Sequence, residues 1–194
     1  MVTQAPMILH PPAMTDDEFY EFCQRFPTSG VERTARGEIV VTRSGGLETG
    51  FRNCDLGAQL GNWAAKDGRG KSFGSNTDYI LPSGAASAPD ASWVANTRIA
   101  KLTANQKRKF PRLCPDFVME LTSPSDRLRA VQRKMSEWIE NGAQLGWLLH
   151  ADRRTAYVYR PGKDPEKLVD PARLKGQGPV AGFVLELSNI WGNL

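Results

Sequence analysis

The chain has 194 residues, of which 40% are hydrophobic and 24% are charged. This composition is typical of one ordinary soluble globular domain spanning 1–194, and it excludes the fibrous, disordered and membrane-embedded classes. The net charge of +4 and an isoelectric point near 9.1 permit contact with nucleic acid without requiring it.

Three cysteines, Cys23, Cys54 and Cys114, are too few and too far apart to form a disulfide framework or a C-x-x-C metal site. We therefore expect them to be small core residues in a reducing compartment. The N-terminal stretch lacks the basic start and long apolar run of a signal peptide, and no window approaches the roughly 20 apolar residues of a membrane span. These observations predict a cytoplasmic protein with no membrane partner.

The N-terminal part predicts helices on either side of a hairpin. Thr15 and Glu18 have the spacing of a capping box, and apolar residues follow at helical intervals. In chain order we expect an extended arm (1–14), a helix (15–26), a hairpin turning at Gly37 (31–43) and a helix that stops near Gly68 (47–68).

The remainder alternates strand signals with one further helix. In order we expect strands within 71–97 that turn at Pro82 and Gly84, a charged excursion (98–112), a strand (116–122), a loop (123–126), a helix ended by Gly142 (127–141), a hairpin (146–160), and short strands near 167–170 and 183–188. The pattern predicts a single α/β (α+β) domain with a mixed or antiparallel sheet and helices packed against it.

Two carboxylates lie in or beside the most strand-like segments. Glu120 stands among apolar residues in the strand over 116–122, where an ionised side chain needs a partner. Asp90 follows Pro89 at the start of another candidate strand. If the two strands are adjacent, both carboxylates can converge on a hard cation such as Mg²⁺, which prefers oxygen ligands.

The helix after Glu120 supplies a third candidate, Lys134. The apolar stripe of this helix consists of Leu128, Val131, Met135, Trp138 and Ile139. Lys134 falls roughly 90° from the centre of the stripe at about 100° per residue. Its aliphatic stem can lie along apolar surface and bring the ammonium group to the sheet.

Two strand-borne acids and a lysine are the set that metal-dependent phosphodiester cleavage requires. Taken singly, two of these residues have an ordinary explanation: Asp90 is a turn residue and Lys134 is a solvated helix residue. His10 and His150 are too far apart in sequence to support a zinc site, and His150 in an apolar strand is more simply a core residue. Motifs for a serine nucleophile, a phosphate loop or a dinucleotide site are absent from the sequence.

The order Pro89-Asp90 followed by Glu120-Leu121-Thr122 resembles the PD-(D/E)XK nuclease pattern. Thr122 departs from it, since that position is normally lysine. The chain as a whole is similar to the Uma-type family of restriction endonucleases, in which the lysine lies on the next helix, as Lys134 does. Stretches that carry the resemblance include LPSGAASAPDASWV, PDFVMELTSPSDR and GWLLHADRRTAYVYRPG.

The resemblance implies a restriction-endonuclease-like core, with a mixed central sheet flanked by helices and an additional N-terminal helix and hairpin. It also implies Mg²⁺, with Mn²⁺ as a substitute, held by Asp90, Glu120 and the carbonyl of Leu121. Lys134 would assist the attacking water, and Glu32 would join the site from the early hairpin. DNA would be the substrate and partner, and a homodimer is compatible with this type of protein.

Two other functions stay open at this stage. One is an inactive nuclease-fold protein that binds nucleic acid or a protein partner, with Thr122 as the sign of a decayed site. The other is a structural module in which an arginine neutralises Glu120. A large separation of Lys134 from the acids would favour binding without cleavage. The basic residues within 101–112 are the candidates for phosphate contact, because this segment adjoins the strand that leads to the site.

Overall fold

The computed structural model describes residues 7–26, 30–42, 45–122 and 127–192. Within these ranges the helices are α1 (Asp16–Cys23), α2 (Leu47–Asp67), α3 (Asn96–Ile99), α4 (Ala104–Arg108), α5 (Leu128–Glu140) and α6 (Ser188–Trp191). The strands are β1 (Met7–Leu9), β2 (Gly30–Arg33), β3 (Ile39–Thr42), β4 (Gly70–Gly74), β5 (Tyr79–Ile80), β6 (Ala86–Ser87), β7 (Ala91–Ala95), β8 (Phe117–Leu121), β9 (Leu145–His150), β10 (Thr155–Arg160), β11 (Lys163–Val169), β12 (Arg173–Lys175) and β13 (Val184–Glu186).

The central sheet has six strands in the order β11-β10-β9-β8-β7-β4. Its β8 and β9 are parallel and are joined through α5, whereas the other neighbouring pairs are antiparallel. A parallel pair needs a crossover connection, and here the crossover is a helix that lies on one face of the sheet. All five residues of β8 are buried, because helices cover both of its faces.

Helices α2 and α5 cover opposite faces of this sheet. On one face Leu56 and Leu60 of α2 pack in the same cluster as Trp93 and Phe117. The opposite face is covered by α5, whose Met135 and Trp138 share a cluster with Val94, Val118 and Leu148. The predicted α/β class with a mixed central sheet flanked by helices is therefore confirmed.

Local signals explain where the long helices begin and end. The Thr15 side chain accepts a hydrogen bond from the amide of Glu18, whose carboxylate in turn accepts one from the Thr15 amide, so the predicted capping box starts α1. At the other end of a helix, Gly68 has φ 73° directly after α2. This left-handed conformation favours glycine and stops the helix at the predicted place.

A second sheet holds the N-terminal hairpin, in the order β1-β3-β2-β6-β5. The strands predicted within 71–97 are thus divided between two sheets, because β5 and β6 join the hairpin while β4 and β7 join the central sheet. Arg33 anchors α1 to this second sheet: its guanidinium bonds Asp16 at 2.7 Å and lies over the ring of Phe19. The same strand, β2, carries Glu32.

Several sequence expectations need correction. The charged segment expected over 98–112 contains the end of α3 and all of α4. The arm over 1–14 includes β1, which pairs with β3, while residues 1–6 and the expected loop over 123–126 lie outside the described residues. Cys114 is buried as expected, but Cys54 is exposed. In the described ranges, no helix has both the length and the apolar character needed to cross a membrane.

Candidate active site

The two predicted carboxylates lie on neighbouring strands at one end of the central sheet. Strands β7 and β8 pair antiparallel, with Ala91 opposite Met119. Continuing this register by one residue places Asp90 opposite Glu120. Glu120 lies on the face that α5 covers, and Asp90, directly before β7, lies beside it at the end of the strand. The adjacency that the sequence argument required is present.

Glu120 is nearly inaccessible to solvent, with a side chain that is 7% exposed. Its Oε1 accepts a hydrogen bond from Trp138 Nε1 at 2.9 Å and lies 3.0 Å from Lys134 Nζ. Burial raises the pKa of Glu120 to about 8; the charge of Lys134 opposes this shift, and the charges of Asp90 and Glu32 add to it. Ionisation of the Glu120 carboxyl group is therefore unfavourable here unless a cation lies beside it.

Lys134 connects the central sheet to the N-terminal hairpin. In addition to Glu120, its Nζ lies 2.8 Å from Glu32 Oε1 and donates to the carbonyl of Ala88 at 2.8 Å. Burial acts to lower the pKa of Lys134, but Glu120 and Glu32 outweigh it, so the net shift is upward. Lys134 is held as an ammonium ion whose three N–H groups all have partners.

Glu32 lies on β2 and is positioned by β6 and the residue that follows it. Its Oε1 accepts a hydrogen bond from the Ser87 hydroxyl at 2.7 Å and one from the Ala88 amide at 3.3 Å. Burial acts to raise the pKa of Glu32, but Lys134 and these donors outweigh that effect and lower it. Glu32 is thus the ionised partner of Lys134, and it joins the site from the early hairpin as expected from the resemblance.

Backbone and side-chain contacts orient Asp90. Its Oδ2 accepts a hydrogen bond from the Leu121 amide at 2.7 Å, and its Oδ1 accepts one from Asn53 Nδ2 at 3.0 Å. Sequence reasoning missed Asn53, which lies on α2. A signal for it existed, because Asn53 precedes the buried Leu56 by three residues and so belongs to the inward-facing side of that helix.

A fourth carboxylate near the site, Asp78, was also missed. It directly precedes β5, and burial raises its pKa to about 7, with a further increase from Glu32 and an opposing effect from Lys134. Because the charges of both residues affect the pKa of Asp78, this carboxyl group lies within electrostatic range of the Glu32–Lys134 pair. The local sequence around Asp78 does not distinguish it from a turn residue. Its position near Glu32 and Lys134 arises only when β5 pairs with β6.

The described residues contain no group of three or more histidine, cysteine, aspartate or glutamate side chains arranged to hold a metal ion. The predicted ligand set uses two carboxylates, Asp90 and Glu120, together with the backbone of Leu121. These are oxygen donors of the kind that Mg²⁺ takes, and this ion usually keeps several waters instead of a full cage of protein ligands. The donor chemistry fits magnesium.

Other residues considered from the sequence lie elsewhere. His10 is exposed and 3.7 Å from Glu38. His150 ends β9, where burial lowers its pKa and its Nδ1 is buried without a hydrogen-bond partner among the described residues. Within the described part of the chain, neither histidine has a hydrogen bond or ion pair with Glu32 or Glu120, so the geometry provides no support for a zinc site.

The basic segment is only partly available for phosphate contact. Lys109 and Arg112 form ion pairs with Asp17 and Asp16 of α1, respectively. Lys101, Lys107 and Arg108 are exposed in the same segment. The candidates for phosphate contact within 101–112 are therefore these three side chains, because Lys109 and Arg112 already have acidic partners.

Comparison with known proteins agrees with the fold and the resemblance. A model of the family described as "Uma2: Putative restriction endonuclease" matches residues 16–188. Among solved structures, the chain is similar to a putative nuclease belonging to DUF820 from Anabaena variabilis ATCC 29413. The TM-score is 0.75 at 21% sequence identity, covering 92% of this chain and 98% of that chain, which shows a shared fold.

No curated protein matches the chain. Family and fold together indicate a restriction-endonuclease-like nuclease, and the resemblance noted in the sequence is confirmed. Because the family model spans far more than half of the chain, this protein belongs to the Uma2 family of putative restriction endonucleases.

Proposed function

We propose that this protein is a Mg²⁺-dependent endonuclease that hydrolyses phosphodiester bonds in DNA. One observation carries the proposal: the Lys134 ammonium lies 3.0 Å from Glu120 on β8 and 2.8 Å from Glu32 on β2, beside the strand position of Asp90. A lysine from the following helix thus reaches the carboxylates that two other elements supply. This is the convergence on which the argument from sequence depended.

Asp90, Glu120 and the carbonyl of Leu121 would hold the metal ion. Both contacts of Glu120 use Oε1, and within the described part of the chain Oε2 makes no hydrogen bond or ion pair. Burial, together with the charges of Asp90 and Glu32, raises the pKa of Glu120, and a divalent cation would oppose this shift by favouring the ionised carboxylate. When bound, the ion supplies Lewis-acid polarisation of a phosphoryl oxygen.

The role of Lys134 follows from its contacts. With all three N–H groups engaged, Lys134 is a fixed positive charge beside the carboxylates and not a general base. A charge held in a buried, preorganised position stabilises the negative charge that develops on phosphate in the transition state. The ammonium can also orient the attacking water if one of its present contacts exchanges.

Glu32 would act through Lys134. It holds the ammonium from the side of the hairpin, and Ser87 and Ala88 fix its own carboxylate. Glu32 is therefore a positioning residue in this mechanism. Its loss would leave Lys134 attached to Glu120 and Ala88 but free to turn away from the scissile phosphate.

The family supports DNA as the substrate, since it is described as one of restriction endonucleases. Exposed Lys101, Lys107 and Arg108 would contact phosphate along the path to the site. A cytoplasmic location and a single domain over 1–194 remain part of this proposal, as does compatibility with a homodimer.

Two observations favour a second function. Lys134 already neutralises Glu120 within the protein, and Thr122 occupies the position where related nuclease patterns have lysine. A protein with these features can bind nucleic acid or a protein partner through the nuclease fold without cutting. Metal binding separates the two functions, because a decayed site would not need to hold a cation.

The test combines metal binding with cleavage. Wild type, Asp90→Ala and Glu120→Ala are titrated with Mn²⁺ by electron paramagnetic resonance and incubated with duplex, single-stranded and branched DNA plus Mg²⁺ or Mn²⁺. We expect both substitutions to abolish tight Mn²⁺ binding and to reduce cleavage by at least about 100-fold. Asp164→Ala, at an exposed position on β11, is the matched control and should change neither.

Two results would count against the proposal. Cleavage that survives both substitutions would show that these carboxylates are not the site. DNA binding by the wild type without Mn²⁺ binding or cleavage would support the second function instead.

A further inference from the structure

A shallow basic groove lies between α5 and the hairpin of β10 and β11. Its volume is ≈ 410 Å³, and it is lined by Arg129, Gln132, Arg133, Ser136, Tyr159 and Pro165. The first four of these residues are spaced by three, one and three positions, so they form one stripe along a flank of α5. The other two come from β10 and β11. The groove thus joins a polar helix flank to the edge of the central sheet.

The groove lies on a different flank of α5 from the acidic site. Arg133 directly precedes Lys134, and consecutive helix residues point about 100° apart. Lys134 reaches Glu120 and Glu32, whereas Arg129 and Arg133 line the groove. One helix therefore carries both the ammonium group of the acidic site and two guanidinium groups that point away from it.

The two arginines of the groove have no counter-ion. Within the described part of the chain, the side chains of Arg129 and Arg133 form no ion pair and no hydrogen bond. Many other arginines of this protein pair with an acid, namely Arg33, Arg52, Arg69, Arg98, Arg112, Arg154, Arg160 and Arg173. The groove therefore carries two positive charges that its described surroundings leave without a partner.

The acids of β11 face away from the groove. Asp164 and Glu166 flank Pro165, so alternation along the strand directs both to the other face of the sheet. Glu166 lies opposite Val158 of the cluster beneath α2, and it binds Arg160 at 3.0 Å. Among the described residues that line the groove, none is an acid. The charge of the groove is therefore positive.

The order of charges along α5 is unfavourable for the helix by itself. Arg129 lies in the first turn, which contains no acid, while Glu137 and Glu140 lie in the last turn, which contains no base. The helix macrodipole favours the reverse order. In addition, like charges four residues apart, such as those of Arg129 and Arg133, repel each other. An anion in the groove would offset both effects.

A nucleic-acid strand is an anion that suits these features. Arg129 and Arg133 are separated by about 6 Å along the helix, which is comparable with the separation of neighbouring phosphates along one strand. A guanidinium group can bind phosphate oxygens through two parallel N–H bonds. The aromatic residue of the groove, Tyr159, is only 4% exposed, so its ring offers no face on which a base could stack. The lining therefore suits phosphates and not bases.

We propose that this groove binds the phosphate backbone of a DNA strand, at phosphates other than the one that is hydrolysed. The inference rests on the proposed function for the choice of DNA as the ligand. Lys134 acts at the scissile phosphate on one flank of α5, while Arg129 and Arg133 hold the backbone on the other flank. The groove therefore contributes to affinity for DNA and not to the chemical step, and it adds to the contacts of the 101–112 segment.

The test compares two double variants that each remove two positive charges. Arg129→Gln with Arg133→Gln changes the groove, and Arg25→Gln with Arg36→Gln changes exposed arginines elsewhere. Anisotropy of a fluorescent duplex is measured in EDTA, so that binding is observed without hydrolysis. We expect the groove variant to raise the dissociation constant at least about tenfold and the control variant to raise it no more than about twofold. The salt dependence of log K should become shallower by about 2 × 0.9 in the groove variant.

Folding and chemistry are followed on the same variants. Because the groove variant removes a repulsion between like charges, it should unfold at the same temperature as wild type or at a higher one. A purely structural role of the two arginines would lower that temperature instead. In cleavage assays with Mg²⁺, the groove variant should raise KM and leave kcat within about twofold of the wild-type value.

Three results would overturn the proposal: equal weakening of DNA binding in both double variants, absence of DNA binding by the wild type, and displacement of the duplex by millimolar inorganic phosphate at constant ionic strength. The fate of the proposed hydrolysis is read separately. A wild type that binds DNA through the groove but does not cut it with Mg²⁺ or Mn²⁺ would reject the hydrolysis and leave the groove assigned to DNA. Cleavage that is unchanged in KM in the groove variant would do the reverse.

Discussion

At the scale of single residues, the site depends on a buried ammonium shared between two carboxylates. Glu120 carries a raised pKa and Glu32 a lowered one, although both contact Lys134. The difference follows from their surroundings: Glu120 lies in a fully buried strand beside Asp90, whereas Glu32 receives additional hydrogen bonds from Ser87 and Ala88. Similar acids thus differ in charge at neutral pH because of their local partners.

Removing Lys134 should destabilise the fold in a pH-dependent way. Lys134→Met leaves Glu120 and Glu32 buried without their counter-charge, which should lower the free energy of unfolding by about 3 kcal/mol at pH 9. At pH 5 the loss should be smaller. Glu120, with a pKa of about 8, is already neutral there, and Glu32 can take up a proton once the ammonium is gone.

Urea unfolding at both pH values measures this effect. The double variant Lys134→Met, Glu120→Gln should regain part of the stability at pH 9, because one of the uncompensated charges is removed. Equal losses at pH 5 and pH 9 would show that Lys134 contributes through packing of its stem instead of its charge.

At the scale of elements, glycine allows β4 to approach β7 closely. A Cβ atom at Gly70 would overlap the indole of Trp93 and the carbonyl of Val94. A flexible side chain could move aside, but a backbone carbonyl in a paired strand cannot. The close approach of β4 to β7 therefore requires glycine at this position.

Gly70→Ala should lower the free energy of unfolding by about 2 kcal/mol, because β4 or the indole of Trp93 must shift. Gly57 of α2 is the matched control, since a Cβ atom there has nothing within 4 Å. Gly57→Ala should raise stability by up to about 1 kcal/mol through the higher helix propensity of alanine. Thermal unfolding of both variants gives the comparison, and a stable Gly70→Ala protein would contradict the described packing.

At the scale of the whole molecule, the distribution of basic side chains matters more than the net charge of +4. Two cations of the 101–112 segment are paired with α1, while Lys101, Lys107 and Arg108 face solvent. Contacts with phosphate release counterions, so the salt dependence of binding reports how many cations take part.

Replacing Lys101, Lys107 and Arg108 together by glutamine should weaken DNA binding at low salt. The slope of log K against log salt concentration should become shallower by about 3 × 0.9 for a duplex. A control variant with Lys163, Lys167 and Lys175 replaced by glutamine carries the same change in net charge at other exposed positions. Fluorescence anisotropy over a salt series measures both slopes, and equal changes in the two variants would show that the segment makes no specific phosphate contact.

Much of the fold could be predicted because its signals are local. The capping box of Thr15 and Glu18, the helix end at Gly68 and the apolar run around Glu120 depend on neighbouring residues in the chain, and each is present in the structure. The candidate site was partly visible for the same reason. A carboxylate inside a buried strand requires compensation wherever that strand is placed.

The sequence by itself determined that this protein has helices packed on a sheet, a charged group in its most buried strand, and the pattern of its family. Only the tertiary structure decided which groups meet there. Glu32 was indistinguishable from a surface residue until β2 joined β6, and Asn53 and Asp78 came to the site through contacts between distant segments. The reason is physical: periodicity and capping act over a few residues, whereas strand register and helix packing bring together groups that no local pattern connects.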